Sequence, residues 1–392
     1  MNYIAISPNF PVNFIPFSKA LKDKGVNVLG IGADAYDTLH KDLKETLNEY
    51  YRVDSMEDYT QVFKAVAFFS HKYGKIDRIE SHNEHWLETD ARLRSDFNVP
   101  GLKYEDLDRI KLKSGMKKIF KKAGLETAPG TIVKNRHDAL KFVKKHGYPV
   151  IVKPDKGVGA LGTYKIDSLE RLETFFDHKE EIQDPTVYIM EAFITGKIYS
   201  FDGLLDQNGE IVFSSSLVYG SGVMESVNDG LDTDFYIPRV LNEKIVESGT
   251  KAIKAFKMKE RFFHMELFLT PKDEIIALEL NARVPGGKIV DMFNYANDIN
   301  IFEQYANVVT ENRFTAEITR PYSCFYVGRK NNFNYKHNLE DVLATYSDEI
   351  VHHYEVERIF ASGIGDYGII FKTSDHEKGL KIRSYILEKQ AV

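Results

Sequence analysis

The chain has 392 residues, of which 43% are hydrophobic and 28% charged, with a formal net charge of -6 at pH 7. That composition describes a folded chain long enough for roughly two or three packed units, not a disordered one. The mild acidic excess, with a pI near 6.1, argues against nucleic acid or an anionic membrane as main partner, and no apolar run approaches the length of a membrane helix. The single cysteine, Cys324, excludes an intrachain disulfide or a cysteine-rich metal site and suits a reducing compartment. The opening MNYIAISPNFPVNF has no basic stretch leading into a long apolar run, so no signal peptide is expected and the expected location is cytoplasmic.

Strand-like YIAIS, a helix over residues 14–24 and strand-like VNVLGIG at 26–32 alternate in β-α-β fashion, and a further helix follows near 56–73. This predicts a small parallel sheet. The turn SPNFP is not a G-x-G-x-x-G loop, so no dinucleotide site is expected here. Residues 83–101, NEHWLETDARLRSDFNVPG, place Glu84, Arg92 and Arg94 on a charged stretch. Taken alone, it is more simply a helix face with ordinary Glu–Arg neighbours. Residues 111–124 predict a helix with Met116, Ile119, Phe120 and Ala123 as its apolar stripe, stopped at Gly124. Lys113 is one of several lysines on it.

The stretch 148–166, YPVIVKPDKGVGALGTYKI, reads as a buried strand ending at Lys153, a glycine-rich turn and a second strand. Gly157, Gly159 and Gly162 allow positive φ and let backbone N–H groups approach an anion, and Lys153 is placed to meet a phosphate as a point charge. The order strand–loop–strand is not that of a Walker loop, which opens a helix. A lone loop of this kind is more simply a mobile hairpin. Residues 187–206 give strand, link, strand, with Met190, Glu191, Ala192 and Phe193 at the link and Asp202 further along the alternation. Residues 219–239 are rich in Gly, Asp and Ser and carry no period. A loop this long is more often functional than not, and it is expected to border a substrate pocket.

After a helix over 242–256 come two apolar strands, FFHMELFL and EIIALELNA, joined by the turn at 270–273. Glu279, Asn281 and Arg283 are two apart and leave one face of a strand, and Glu266 can reach them across the hairpin. Such groups are costly to bury without partners, and hard oxygen donors of this kind suit Mg2+ held jointly with substrate phosphates. The competing reading is an amphipathic hairpin with its polar face in water. His264, two residues before Glu266, could donate to a carboxylate, bind substrate or be a satisfied core histidine. A helix over 289–295 carries Asp291. The tail predicts a strand SCFYVGR, a helix over 339–346, strands near 355–360 and 367–371 and a last helix over 375–387. It shows no catalytic constellation.

Glu266 followed by ELNARVPGG at 279–287, with Lys153-Pro154 and the glycine loop upstream, resembles the signature of the ATP-grasp ligases. The resemblance implies an α/β fold of four parts. These are a parallel α/β domain over 1–105, a glycine-loop subdomain over 106–189, an antiparallel catalytic subdomain over 190–312, and a C-terminal module over 313–392 for packing or a homodimer. It places Lys113, Lys153, Lys156, Gly157, Gly159 and Gly162 on the phosphates of ATP, and the backbone of Met190, Glu191, Ala192 and Phe193 at adenine. Two positions depart from the family pattern, Ala192 and Ile198, the second standing where a ribose-binding glutamate is common. Glu266, Glu279 and Asn281 are implied as ligands of Mg2+ (or Mn2+), and Arg283 as the cation on the transferred phosphoryl group. Glu84, Arg92 and Arg94 would approach the substrate carboxylate, with His264, Gly286, Gly287 and Asp291 beside the substrates. Asp291, His264 or an acid of residues 225–234 would take the proton of the attacking amine. The implied reaction is ATP-dependent joining of two amino acids through an acyl phosphate. More specifically the chain resembles bacterial ligases that join L-aspartate to L-methionine. Alternatives are another small amine or a cell-wall precursor as acceptor, or a non-catalytic ATP-binding regulator.

Overall fold

The βα alternation read at the start of the chain closes into a four-stranded parallel sheet, as the computed structural model shows for a molecule described over residues 1–157, 162–220 and 230–390. Its order is Glu49–Arg52, Asn27–Gly32, Asn2–Ile6 and Arg78–Glu80. All five residues of Asn2–Ile6 are buried, as expected of a parallel strand covered on both faces. Helix Tyr59–Tyr73 lines one face and starts where Asp58 accepts from Thr60 N–H, a side-chain cap on an otherwise unpaired donor. Helix Ile15–Asp23 carries Phe17, which packs with Phe262, Phe302 and Tyr305. One apolar core therefore joins the first sheet to the second.

The second sheet is ten-stranded. Its centre is strand Lys197–Leu205 against Phe262–Leu269 and then Ile275–Asn281, all antiparallel. The predicted hairpin is present with one added feature. Glu266 stands opposite Glu279 while Leu267 stands opposite Ala277, so Leu278 is an extra residue, a bulge that re-aims the strand after it. A smaller antiparallel sheet consists of Gly130–Val133, Tyr188–Ala192, Val150–Pro154 and Tyr164–Ile166, the last two flanking the glycine-rich stretch in sequence.

The helix predicted over 111–124 is two helices, Leu107–Lys111 and Lys113–Lys122. Leu112 between them is extended and bridges Lys156. Asp155 carries the break, since its carboxylate accepts from Ser114 N–H and Ser114 Oγ, both at 2.7 Å. Gly115 lets the two helices meet, because a Cβ there would stand 2.0 Å from Asp108 O. Lys113 thus opens a helix directly beside the glycine-rich turn.

The tail differs from expectation at one place. Residues 358–364 form a helix, Arg358–Ile364, and the strand lies earlier, at Ile350–Glu355, paired with Tyr367–Thr373. Gly365, at φ 91°, ends the helix. The apolar pair Ile359-Phe360 fits either element when read alone, and Phe360 stacks on Phe10 from the opposite end of the chain. Cys324 is fully buried in strand Ser323–Arg329, and burial pushes its thiol far up, consistent with packing. Among the described residues no helix is long and apolar enough to cross a membrane.

Candidate active site

Between the small sheet and the central hairpin lies a cavity of about 450 Å³. The small sheet contributes Lys153, Glu191, Ala192 and Phe193, and the hairpin contributes His264, Glu266, Glu279 and Asn281, with Arg283 and Gly286 beyond it. The three residues read as sharing a strand face, Glu279, Asn281 and Arg283, all line it.

The carboxylates are arranged against their own interest. Glu266 and Glu279 are direct cross-strand partners, a like-charge pairing that destabilises a hairpin unless a cation answers it. Two lysines do so in part. Lys113 Nζ is 3.6 Å from Glu279 Oε2, and Lys153 Nζ is 2.8 Å from Glu191 Oε2. Burial works against the Lys153 charge, yet Glu191, Glu279 and Glu266 outweigh it and hold its pKa above the ordinary lysine value. Burial would likewise raise Glu266, but His264, Lys153 and Tyr219 bring its pKa below the usual value. Asn281 Nδ2 lies 3.4 Å from Glu279 Oε1.

Among the described residues no group of three or more His, Cys, Asp or Glu forms a self-contained metal site. Two opposed carboxylates and an amide are instead the donor set of a Mg2+ shared with phosphates, which normally takes only one or two protein carboxylates. The residues present fit such an ion.

Sequence reasoning missed Lys117. It is buried, its Nζ donates to Ala128 O at 2.8 Å, and it lies 2.5 Å from Glu191 Oε1. Burial lowers its pKa, only partly offset by Glu191. Its spacing of four from Lys113 puts both on one helix face, a signal hidden in the run KSGMKKIFKK. Glu191, expected to offer backbone to adenine, turns its side chain inward between Lys117 and Lys153. Met190 is a sheet-internal core residue, paired to Thr131 on one side and Val152 on the other. Ala192 and Phe193 line the cavity, but their N–H groups already donate to Pro129 O and Pro149 O. Ile198 also lines the cavity.

Around the glycine-rich turn, Lys113 Nζ donates to Gly157 O at 3.1 Å, and Gly162 adopts φ 71°. Lys156 is half exposed and pairs with Glu88 at 2.5 Å, away from the carboxylates. Gly159 lies outside the described residues.

Arg283, which lines the cavity, has its Nε 3.5 Å from Glu84 Oε2, an oxygen that is buried and has no hydrogen-bond partner. Gly287, at φ 60°, turns the chain into helix Ile289–Asn297. Its carbonyl accepts from Asn13 Nδ2 at 2.9 Å, and the same amide lies 3.4 Å from Asp291 Oδ2. Burial raises the Asp291 pKa, which makes it a better proton acceptor than an exposed aspartate.

Two expectations part from the geometry. Arg92 is exposed and stacks on Tyr59, its guanidinium carbon 3.6 Å from the ring centre; the helix turns it away while Asp90 and Arg94 point inward. Of the acids in 225–234, Asp232 is bonded to Tyr335 and Lys389, and Asp234 is clasped by Arg383. Neither is free to take a proton, and 225–229 lie outside the described residues.

A family model described as an ATP-grasp domain matches residues 146–291, the span of the glycine-rich turn and the hairpin. The L-arginine-specific L-amino acid ligase of Bacillus subtilis is 27% identical over 304 residues, 76% of this chain and 72% of that protein. The carbamoyl phosphate synthase large chain of Agathobacter rectalis is 22% identical over 56% of this chain, and the match spans only 20% of that relative's length. In three dimensions the L-amino acid ligase of Bacillus licheniformis superposes with a TM-score of 0.74 at 18% identity, covering 97% of this chain and 95% of that one. The N5-carboxyaminoimidazole synthetase of Staphylococcus aureus gives 0.72 at 16%, with the same coverage. The chain has the ATP-grasp fold. It is an enzyme, and residues 146–291 match the ATP-grasp domain.

Proposed function

We propose that the chain is an ATP-dependent carboxylate–amine ligase that joins two amino acids, working in the cytoplasm as a homodimer. The observation that carries this reading is one cavity in which the opposed carboxylates Glu266 and Glu279 stand with Lys153 and Arg283, while Lys113 reaches Glu279 and Glu84 reaches Arg283. The name of the B. subtilis relative, an amino acid ligase, supports amino acids as substrates. The pairing to test first is the one the sequence resembles, L-aspartate as donor and L-methionine as acceptor.

Glu266, Glu279 and Asn281 would hold Mg2+, which when bound neutralises charge on the phosphates of ATP. Lys113 and Lys153 bind those phosphates. A carboxylate oxygen of the donor attacks the γ-phosphorus, the bond to ADP breaks, and an acyl phosphate forms. The acceptor amine then attacks the acyl carbon, phosphate leaves with the donor oxygen, and the amine proton passes to Asp291. Arg283 stabilises the charge that develops on the phosphoryl group and the tetrahedral centre. Glu84, with one oxygen unmatched beside Arg283, accepts from a substrate ammonium group. The intact set of Glu266, Glu279, Asn281 and Arg283 disfavours a non-catalytic regulator.

A screen of paired amino acids, read by phosphate release and product mass, tests this. Release of ADP and phosphate only when both partners are present, with a product equal to their sum less one water, is the expected result. AMP and pyrophosphate as products would overturn it.

A further inference from the structure

We propose that Asp202 and His264 form a positioning pair for Glu266, fixing which of its two carboxylate oxygens is left for the cation that the nucleotide brings. The inference rests on the reading of Glu266 as a metal ligand and goes beyond it to residues outside the ligand set.

The geometry follows from strand register. Strands Lys197–Leu205 and Phe262–Leu269 run antiparallel with Asp202 directly opposite His264, and Ser200 opposite Glu266. Asp202 is fully buried. A carboxylate there is costly unless its oxygens are matched, and both are. Ser200 Oγ donates to Oδ2, and His264 Nδ1 lies 2.5 Å from Oδ1. An ionised carboxylate only accepts, so Nδ1 carries the proton in that bond. The imidazole is thereby held with its other nitrogen toward the cavity, where Nε2 lies within ion-pair reach, 3.5 Å, of Glu266 Oε1 and meets it as a donor when the ring is an imidazolium.

A second group converges on the same oxygen. Tyr219 OH donates to Glu266 Oε1 at 3.4 Å. Both neighbours therefore meet Oε1, and among the described residues none gives Oε2 a hydrogen bond or ion pair. A metal-binding carboxylate whose other oxygen is held by hydrogen bonds keeps its orientation, and loss of such partners typically costs about 10–100-fold in metal affinity. The hairpin register adds to this, because His264 also stands opposite Asn281 while Glu266 stands opposite Glu279. His264 thus sits within the ligand set without being one of its oxygen donors. It is a positioning residue: it acts on the cation only through Glu266.

The test is calorimetric and needs no turnover. ADP is titrated into the full-length protein in EDTA and again in MgCl2, and the ratio of the two affinities is the readout. His264→Asn keeps an amide nitrogen near the place of Nδ1, so Asp202 stays matched and the fold is preserved, but nothing reaches Glu266. His264→Gln places an amide nitrogen near Nε2 and restores the contact to Glu266. The expected result is that His264→Asn loses about tenfold of the Mg2+ enhancement with ADP affinity in EDTA unchanged, that Tyr219→Phe loses a smaller part, and that His264→Gln recovers part of the loss. An unchanged Mg2+ enhancement in His264→Asn, or an equal loss with and without Mg2+, overturns the pairing. Glu266→Gln separates the two levels of the argument. If it leaves the Mg2+ enhancement intact, the metal-ligand reading fails. If it abolishes the enhancement while His264→Asn does not, only the positioning role fails.

Discussion

Two clusters of buried charge lie in this molecule, and they are built on opposite terms. At the junction of the first sheet with the second, Arg94 donates to Ile79 O, Leu102 O and Glu80, Arg261 donates to Ala282 O and reaches Glu80 at 3.3 Å, and Arg78 grips Glu260. Every guanidinium there is already matched. The least matched carboxyl there is Asp90: its Oδ2 accepts from Ser81 N–H and Oγ and lies 3.8 Å from Arg94 Nη2, but its Oδ1 has no hydrogen bond, and its pKa is raised to about 7, first by burial and then by Glu80. In the cavity, by contrast, Glu266 stands opposite Glu279, and Arg283 of its lining lies beside Glu84, whose Oε2 has no hydrogen bond. Both clusters are buried and ionic. Both also border a cavity, but only the second sets two carboxylates directly opposite each other across a hairpin, and that opposed charge is what a cationic ligand can answer.

The sharpest way to test that contrast is to remove one arginine from the matched cluster. Arg94→Ala should take from buried Glu80 one of its two arginine partners, leaving Arg261, and cost about 3–5 kcal/mol of stability, measured by denaturant unfolding, while turnover per folded molecule stays near normal. If Arg94→Ala kept its stability and lost activity, the junction would belong to the site. The converse change is Glu279→Gln, which relieves the opposed carboxylates. It should lower turnover by about a hundredfold or more and leave stability unchanged or slightly improved, because the like-charge pair is gone.

A smaller effect separates the clusters by pH. The Asp90 pKa is raised in the folded state above the unfolded value of about 3.9, so protonation of Asp90 adds stability that is full below that value and is lost as pH rises through about 7. The stability advantage of the native protein over Asp90→Asn should therefore shrink between roughly pH 4 and 8, as read from paired thermal melts. A gap that widens with pH would place an ionised, satisfied carboxylate at Asp90. The smallest change expected is Arg92→Ala. Its exposed stack on Tyr59 is worth about 0.5–1 kcal/mol, with no change in the affinity for any substrate.

Much of the cavity was legible because strand period and motif spacing are local. Glu279, Asn281 and Arg283 sit two apart, and the bulge at Leu278 falls before them and leaves their common face intact. Lys153 and the glycine turn share one short hairpin. What stayed hidden depends on pairing between distant segments. Asp202 and His264 are 62 residues apart, and only the register of two strands makes them neighbours. Lys117 was hidden differently, as one lysine among several whose burial no pattern announces. Arg92 was misplaced because a helix face decides direction, and the inward face of its helix is occupied by Asp90 and Arg94. The helix at Arg358–Ile364 was read as a strand because a short apolar pair suits both periods.

The measurement that bears most directly on the proposed chemistry is the fate of the donor's carboxylate oxygen. A donor amino acid labelled with oxygen-18 in its carboxylate, incubated with ATP, Mg2+ and the acceptor, should yield phosphate carrying one labelled oxygen, because the acyl phosphate oxygen leaves with phosphorus when the amine attacks. Label recovered in AMP would mean an adenylate, and phosphate without label, formed alongside product, would contradict the acyl phosphate altogether.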